Sequence, residues 1–239
     1  MPTTLWEYPS MHYNPGGLRG RPSAMQGDKA YTGATPSWVI WQLLMRYTRE
    51  GDTIVDPMCG SGTTIDVSTD LRRTPIGLDL VPSRDDIRQA DARKLPLKAD
   101  SADFVFIDPP YSTHITYSDD PACIGKLDAA DPASGYYAAM ERVIAEIHRI
   151  LKPRRYMGLY VSDSYRKRAN PEQGSKSESV FMPIGFELFA RLRTHFKPID
   201  IISVVRHNQK LDRGNWRKAA EEGNFFLRGF NYLFIMKKE

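Results

Sequence analysis

A short apolar strand that runs straight into a glycine-rich turn constrains this chain more than any other part of its sequence. Residues 53–55 read as a buried strand, and residues 56–64 follow it with the sequence DPMCGSGTT. Glycine lets a backbone turn tightly and approach a ligand without a Cβ clash. The free N–H groups of the helix that this turn opens favour a negative group such as a carboxylate. The pattern is typical of a nucleotide-binding α/β fold.

The rest of the chain continues the alternation of strands and helices. Apolar spacing predicts further strands at 75–80, 103–107, 156–161, 200–206 and 230–236, and helices at 35–50, 136–151 and 185–194. We expect Thr35 to cap the first helix and Gly51 to end it. Only about a dozen residues separate Asp79 from Asp91, which is near the minimum for a parallel crossover. A short helix or a reduced sheet edge is therefore expected there.

The length of 239 residues fits one domain with modest insertions. Residues 1–30 are rich in Pro, Gly and Tyr, and we interpret them as an extended N-terminal arm. Residues 31–239 form the main domain, with insertion loops at 112–135 and 207–228. Two cysteines cannot build a disulfide framework or a four-ligand zinc site. No apolar run has the length of a membrane span, and we expect a cytoplasmic protein without a metal.

Positive charge is concentrated in the last third of the chain. The whole sequence carries a net charge of +4, but the stretch from Lys152 to Lys218 holds 15 Lys and Arg against 6 Asp and Glu. A basic region on an otherwise acidic body suits a surface that meets phosphates. A solvated basic face without a partner is the alternative.

A second motif, DPPY at residues 108–111, stands at the carboxyl end of the predicted strand 103–107. Ligands of open α/β sheets bind outside the carboxyl ends of the strands, so both motifs are expected on one rim. The two prolines remove N–H donors and leave carbonyl oxygens as acceptors. Asp108 adds a carboxylate, and Tyr111 offers a ring for stacking. Acceptors beside an aromatic plate suit an exocyclic amino group on a flat base.

Together with Gly-Leu-Asp at residues 77–79, these motifs resemble those of the DNA amino-methyltransferases, which make N6-methyladenine or N4-methylcytosine. The resemblance extends over about residues 31–162. It implies a Rossmann-like methyltransferase fold, with a mostly parallel twisted sheet and an antiparallel C-terminal strand. It also implies an enzyme that uses S-adenosylmethionine and acts on double-stranded DNA.

The resemblance further implies a role for each motif residue. The cofactor-binding set is Thr35, Asp56, Pro57, Met58, Gly60, Ser61, Gly62, Thr63, Thr64, Asp79, Asp91 and Ala92. Within it, Asp79 would bind the ribose hydroxyls and Asp91 would face the adenine amino group. The catalytic set is Asp108, Pro109, Pro110 and Tyr111, in which Asp108 and the Pro109 carbonyl hold the target amine and Tyr111 stacks on the flipped base. Transfer would be direct, and Cys59 is not expected to be a nucleophile.

Contacts with nucleic acid are expected from two segments. The loop after the second motif carries His114 and Tyr117, which would touch the flipped base. A polar surface loop is the alternative interpretation of that segment. The predicted insertion carries Lys210, Arg213, Trp216, Arg217 and Lys218, which suit phosphate contact and stacking. The chain lacks the large recognition domain of the family. Target recognition is therefore expected from short loops, the arm, a second copy in a homodimer or a recognition partner.

Three alternatives stay open. The N4-cytosine enzymes more often carry Ser where Asp108 stands, which favours adenine. RNA enzymes that methylate guanine N2 or adenine N6 carry similar turns. A non-catalytic partner subunit with the same fold is the alternative of another class, and the intact motifs speak against it.

Overall fold

One mixed sheet of eight strands lies at the centre of the protein. The computed structural model describes residues 3–7, 26–28, 31–167, 179–205 and 214–239. The strands are β1 (Leu5–Trp6), β2 (Thr53–Asp56), β3 (Thr74–Asp79), β4 (Ile87–Gln89), β5 (Ala102–Ile107), β6 (Leu151–Val161), β7 (Ser164–Lys167), β8 (Ser179–Met182), β9 (Lys197–Val205) and β10 (Phe230–Lys237). The order across the sheet is β1-β9-β10-β6-β5-β2-β3-β4, and β7 and β8 pair as a separate hairpin.

Most of the sheet is parallel, as predicted. Strands β4, β3, β2, β5 and β6 run in one direction. The last strand, β10, is inserted antiparallel between β6 and β9, which confirms the predicted antiparallel C-terminal strand. Strand β1 adds a parallel edge beside β9, with Leu5 opposite Ser203. Part of the expected N-terminal arm therefore belongs to the sheet.

Helices cover both faces of the sheet. They are α1 (Ser37–Tyr47), α2 (Thr63–Asp70), α3 (Tyr136–Ile150) and α4 (Ile184–His195), and a further helix, α5 (Gly214–Glu222), precedes β10. Every residue of β5 is buried, as expected for a central parallel strand with both faces covered. Phe104 and Phe106 pack on the side of α1, whereas Val105 and Ile107 pack on the side of α3. The carboxyl end of β5, which carries Asp108, is thus held rigidly from both sides.

The start of α1 differs from the prediction. Pro36 occupies the N-cap position, and no side chain caps the helix. The hydroxyl of Thr35 donates instead to Asp108 across the sheet rim, so the capping prediction for Thr35 was wrong. The helix also ends at Tyr47 rather than at Gly51, since Thr48 turns into an extended conformation.

The connection between β3 and β4 contains no helix, and β4 has three residues, which is the reduced sheet edge expected from the short crossover.

The two predicted insertion loops contain local structure. The segment 112–135 holds three short 3-10 turns. The second segment, expected as a loop over 207–228, contains α5 from Gly214 onward, because its alanines and glutamates favour a helix. No helix in the described part of the chain is long and apolar enough to cross a membrane.

Candidate active site

One pocket lies at the rim where β2, β3 and β5 end. It encloses about 970 Å³, part of which is open to solvent. Its wall is formed by residues of the glycine loop (residues 56–64), of the DPPY turn (residues 108–111) and of four further segments, residues 31–35, 79–81, 91–92 and 117–124. The structure thus brings both predicted motifs to one cavity.

The glycine loop adopts a conformation that requires glycine. Gly60 and Gly62 have left-handed backbone angles, with φ of +48° and +79°. A Cβ atom at Gly62 would lie 2.4 Å from the guanidinium of Arg84, which is itself held by Asp66 at 2.8 Å. The N–H of Gly60 donates to Asp79 at 2.9 Å. The loop therefore packs closely and opens directly into α2.

Asp56 anchors the start of the loop from inside. Its carboxylate accepts from the Thr64 hydroxyl at 2.5 Å and from the Met58 N–H at 3.1 Å. Burial raises the pKa of Asp56 to about 7. The hydroxyls of Ser61 and Thr63 pair with each other at 2.8 Å. The polar side chains of the loop thus form hydrogen bonds within the loop. The backbone of the first turn of α2 is left to face a ligand.

Two further carboxylates line the pocket. Asp79 accepts from the N–H groups of Gly60 and Val81, and burial raises its pKa. Asp91 is bound by Arg93, with 2.6 Å between Oδ2 and Nη2. Burial acts to raise the pKa of Asp91, but the hydrogen bonds from Arg93 outweigh it and lower that pKa. Arg93 therefore occupies acceptor positions on both oxygens of Asp91.

The DPPY turn is held by side chains from distant parts of the chain. Thr35 donates to Asp108 Oδ2 at 2.6 Å, and the Tyr111 hydroxyl donates to Asp108 Oδ1 at 2.8 Å. Tyr136, on α3, donates to the Pro110 carbonyl at 2.7 Å. The orientation of the Asp108 carboxylate is thus fixed on both oxygens.

Ser112, directly after the turn, has a backbone conformation that the sequence did not reveal. Its φ is +58°, a left-handed value that is uncommon for a residue with a side chain, and it is fully buried. Its hydroxyl donates to the Leu127 carbonyl and accepts from the Ala129 N–H. Strained backbone of this kind persists where the surroundings determine it, and it is frequent at active sites.

A pair of tyrosines covers the pocket. The rings of Tyr31 and Tyr117 stack with 6.3 Å between their centroids. Gly60 lies so close to Tyr31 that a Cβ there would be 3.0 Å from the ring, and Gly33 lies equally close to the Tyr117 hydroxyl. Tyr117, expected to contact the base, therefore stands in the wall of the cofactor pocket.

The other residues predicted to meet nucleic acid lie apart from the pocket wall. His114 is exposed and its Nδ1 lies 3.3 Å from the Ser164 hydroxyl. Arg217 and Lys218 are exposed on α5 and pair with glutamates one turn further on, at 4.0 and 3.7 Å. Trp216 belongs to the same helix. Lys210 and Arg213 lie outside the described residues.

The residues of the pocket fit S-adenosylmethionine. Its sulfonium and ammonium groups are cationic, and Asp56 and Asp108 both line the cavity. Its carboxylate suits the backbone N–H groups of the first turn of α2, which begins directly after the left-handed Gly62 and has no side-chain cap. Its ribose suits a carboxylate at the end of β3, which is the position of Asp79.

A family model of DNA methylases, the N6 and N4 group, matches residues 1–88 and 102–239. The chain belongs to this family. The chain is therefore a methyltransferase, and the family match confirms the resemblance that the two motifs indicated. No curated protein sequence matches the chain.

Solved structures show the same fold at low sequence identity. TrmN from Thermus thermophilus has a TM-score of 0.54 and 16% identity, over 87% of this chain and 50% of that protein. The [4+2]-cyclase SpnF has a TM-score of 0.53 and 16% identity, over 88% and 84%. A geranyl diphosphate methyltransferase has a TM-score of 0.51 and 13% identity, over 86% and 79%. The Rossmann-like methyltransferase fold is thereby confirmed, but a cyclase among these proteins illustrates that fold alone does not define a reaction.

Most of the predicted cofactor residues of the methylase line the pocket. The lining includes Thr35, Asp56, Pro57, Met58, Gly60, Ser61, Thr63, Thr64, Asp79, Asp91 and Ala92. Gly62 lies behind them at the start of α2. Asp108 and Pro110 line the cavity too, whereas Pro109 is buried and Tyr111 packs against the core.

The lining residues that sequence reasoning missed come mainly from the segments beside the motifs. They are Tyr31, Gly33, Ala34, Cys59, Leu80, Val81, Ser118, Ala122, Cys123 and Ile124. Those of segments 31–34 and 118–124 lie in stretches without periodicity. Tyr31 follows the predicted arm directly, and no local pattern in the sequence marks it as a lining residue.

Proposed function

We propose that this methylase transfers a methyl group from S-adenosylmethionine to the N6 amino group of adenine in double-stranded DNA. The observation that carries the proposal is the Asp108 carboxylate, which lines the cofactor pocket and is fixed by donors on both oxygens. An acceptor held in this way beside a cofactor site suits an N–H group of a base.

The protein must activate a weakly nucleophilic amine so that it attacks the methyl group. The lone pair of an exocyclic amine is delocalised into the ring of the base, so the nitrogen is a poor nucleophile. Hydrogen bonds from that amine to Asp108 and to the Pro109 carbonyl draw the nitrogen toward tetrahedral geometry and localise its lone pair. S-adenosylmethionine supplies an electrophilic methyl group on its sulfonium. Positioning and charge placement then provide most of the catalysis.

The fixed orientation of Asp108 supports this role. An ionised carboxylate accepts hydrogen bonds at about four positions, so the donors Thr35 and Tyr111 are compatible with a further bond to an amine. Because each donor holds a different oxygen, the carboxylate cannot rotate when the base arrives. A carboxylate at this position, rather than a serine hydroxyl, also favours adenine over cytosine.

The cofactor side of the pocket supports the proposal through its own polar groups. The backbone at the start of α2 would hold the methionine carboxylate, and Asp79 would hold the ribose. Asp91 and Ala92 would lie along the adenine ring. Asp56 would stabilise the cationic end of the methionine moiety.

The family and the charge distribution support DNA as the proposed substrate. The basic region from Lys152 to Lys218 suits phosphate contact, and Lys210, Arg213, Trp216, Arg217 and Lys218 stay the proposed contact residues. His114 and Tyr117 are proposed to meet the extruded base, because a base must leave the stack to reach such a pocket. A second copy of the chain or a recognition partner would extend this surface.

The proposal is tested by offering the protein labelled S-adenosylmethionine with duplex DNA, tRNA or rRNA in separate reactions. We expect the label in duplex DNA, and mass spectrometry of the nucleosides to find N6-methyldeoxyadenosine. N4-methyldeoxycytidine would correct the base. Label in RNA alone would overturn the DNA substrate, and tight cofactor binding without transfer would indicate a partner subunit.

A further inference from the structure

Asn231 lies on β10, two strands from β5 in the sheet, and contacts the DPPY turn. It is buried, with 5% of its surface exposed, and its Nδ2 lies 3.3 Å from the Tyr111 hydroxyl oxygen. That hydroxyl donates in turn to Asp108 at 2.8 Å. Asn231, Tyr111 and Asp108 therefore form one hydrogen-bonded series, which we call the relay.

The relay runs in a single direction. An ionised Asp108 has no hydrogen to give, so Tyr111 must donate to it. The tyrosine oxygen then has only lone pairs to offer on its other side, so Asn231 must present its NH2 group. A tyrosine hydroxyl otherwise rotates to suit its surroundings. When the Asn231 amide donates to a lone pair of the Tyr111 oxygen, the hydroxyl hydrogen of Tyr111 is directed toward Asp108.

Folding stability does not explain an asparagine at position 231. Its Oδ1 is buried and finds no hydrogen-bond partner among the residues that the structure describes. A buried acceptor without a partner costs about 1–3 kcal/mol. Leu233 and Ile235 follow Asn231 on the same face of β10. Both are apolar and fully buried. An apolar residue at 231 would avoid that cost.

We infer that Asn231 is a positioning residue for methyl transfer. It acts on Asp108 through the Tyr111 hydroxyl, and the inference rests on the proposed function of Asp108. A polar group kept in a core at a cost in stability is expected where function requires it. Tyr111 accordingly orients the carboxylate through its hydroxyl, while its ring packs against the core.

The test compares Asn231→Leu with the wild-type protein. We expect kcat to fall roughly tenfold, which corresponds to the loss of one hydrogen bond in the transition state. The Kd for S-adenosylmethionine should stay within about twofold, and Tm should be unchanged or higher. Tyr232→Phe is the matched control, because Tyr232 lies next in the same strand and its hydroxyl bonds Asp163 at 3.1 Å. That variant should keep kcat.

Two further measurements separate positioning from packing. In a Tyr111→Phe background, Asn231→Leu should cause no additional loss of kcat, because the relay is already broken. The resonance of an isotope-labelled Tyr111 ring should shift in Asn231→Leu and not in Tyr232→Phe, with or without turnover. Additive losses, or an unchanged resonance and kcat in Asn231→Leu, would overturn the inference. A wild-type protein that methylates no amine would instead overturn the proposed function.

Discussion

The two halves of the pocket are held together in different ways. On the cofactor side, the carboxylates bond to groups no more than 19 residues away, as Asp56 does with Met58 and Asp79 does with Gly60. On the target side, Asp108 is held by Thr35, which is 73 residues away, and indirectly by Asn231, which is 120 residues from Tyr111. The cofactor side is therefore a local structure, whereas the target side depends on the whole sheet.

This difference separates two functions. A local loop can bind the same cofactor in many proteins, whereas an acceptor that is assembled from distant strands can be adjusted to one amine. Variants on the two sides should consequently fail differently, with loss of cofactor affinity on one side and loss of transfer rate on the other.

The largest effect is expected from Asp108→Ala. Removal of the acceptor should lower the transfer rate by about a thousandfold, the scale of losing a preorganised electrostatic contact. The Kd for S-adenosylmethionine, measured by calorimetry, should change by less than about threefold. A comparable loss of cofactor affinity would contradict the assignment of Asp108 to the target side.

On the cofactor side, Gly62→Ala should weaken S-adenosylmethionine binding by about a hundredfold. The added Cβ strains a left-handed backbone and also collides with Arg84. Gly51→Ala is the matched control, since Gly51 has a φ of +83° with nothing within 4 Å of its Cβ position. It should lower Tm through strain alone and leave the Kd unchanged. Equal Kd values in both variants would show that the close packing of the loop is irrelevant to binding.

A smaller effect is expected from pH acting on Asp56. Burial raises its pKa to about 7, and the cationic end of the cofactor should favour its ionised form, so binding should release a proton. S-adenosylmethionine should then bind about tenfold more tightly at pH 8 than at pH 6, as followed by titration. The profile should be flat in Asp56→Asn, and a flat wild-type profile would refute the link.

The same pKa has a consequence for the unliganded protein. The pKa of Asp56 is raised in the folded state from its ordinary value of 3.8, so its stabilising contribution is complete below 3.8 and is lost as pH rises toward 7. Urea unfolding should show the wild type losing stability across that window relative to Asp56→Asn. Parallel curves for the two proteins would contradict this.

The smallest effect is expected from Thr35→Val, which removes the hydroxyl that donates to Asp108 Oδ2. The transfer rate should fall about fivefold, because Tyr111 still holds the other oxygen. Thr48→Val is the matched control, since Thr48 is equally buried at 8% and its hydroxyl donates to the Leu44 carbonyl at 2.6 Å. It should reduce Tm without changing kcat. Similar kcat values in both variants would show that the Thr35 hydroxyl has no role in holding Asp108 for methyl transfer.

The same division explains how much the sequence could predict. The glycine loop and the DPPY turn could be recognised because their function depends on neighbouring residues, and so could the strands that precede them. Thr35 was expected to cap a helix, because nothing local indicates a partner so far along the chain. Ser112 and Asn231 were missed for the same reason, since a left-handed serine and a buried asparagine acquire their roles only when the sheet has assembled.

The most direct test of methyl transfer to an exocyclic amine is the identity of the methylated nucleoside in duplex DNA. Wild-type protein and Asp108→Ala should be incubated side by side with labelled S-adenosylmethionine, and the digested DNA examined by mass spectrometry. We predict N6-methyldeoxyadenosine from the wild type and none above background from the variant. A methyl group on a ring carbon, or undiminished transfer by Asp108→Ala, would contradict the assignment of Asp108 as the acceptor of the target amine.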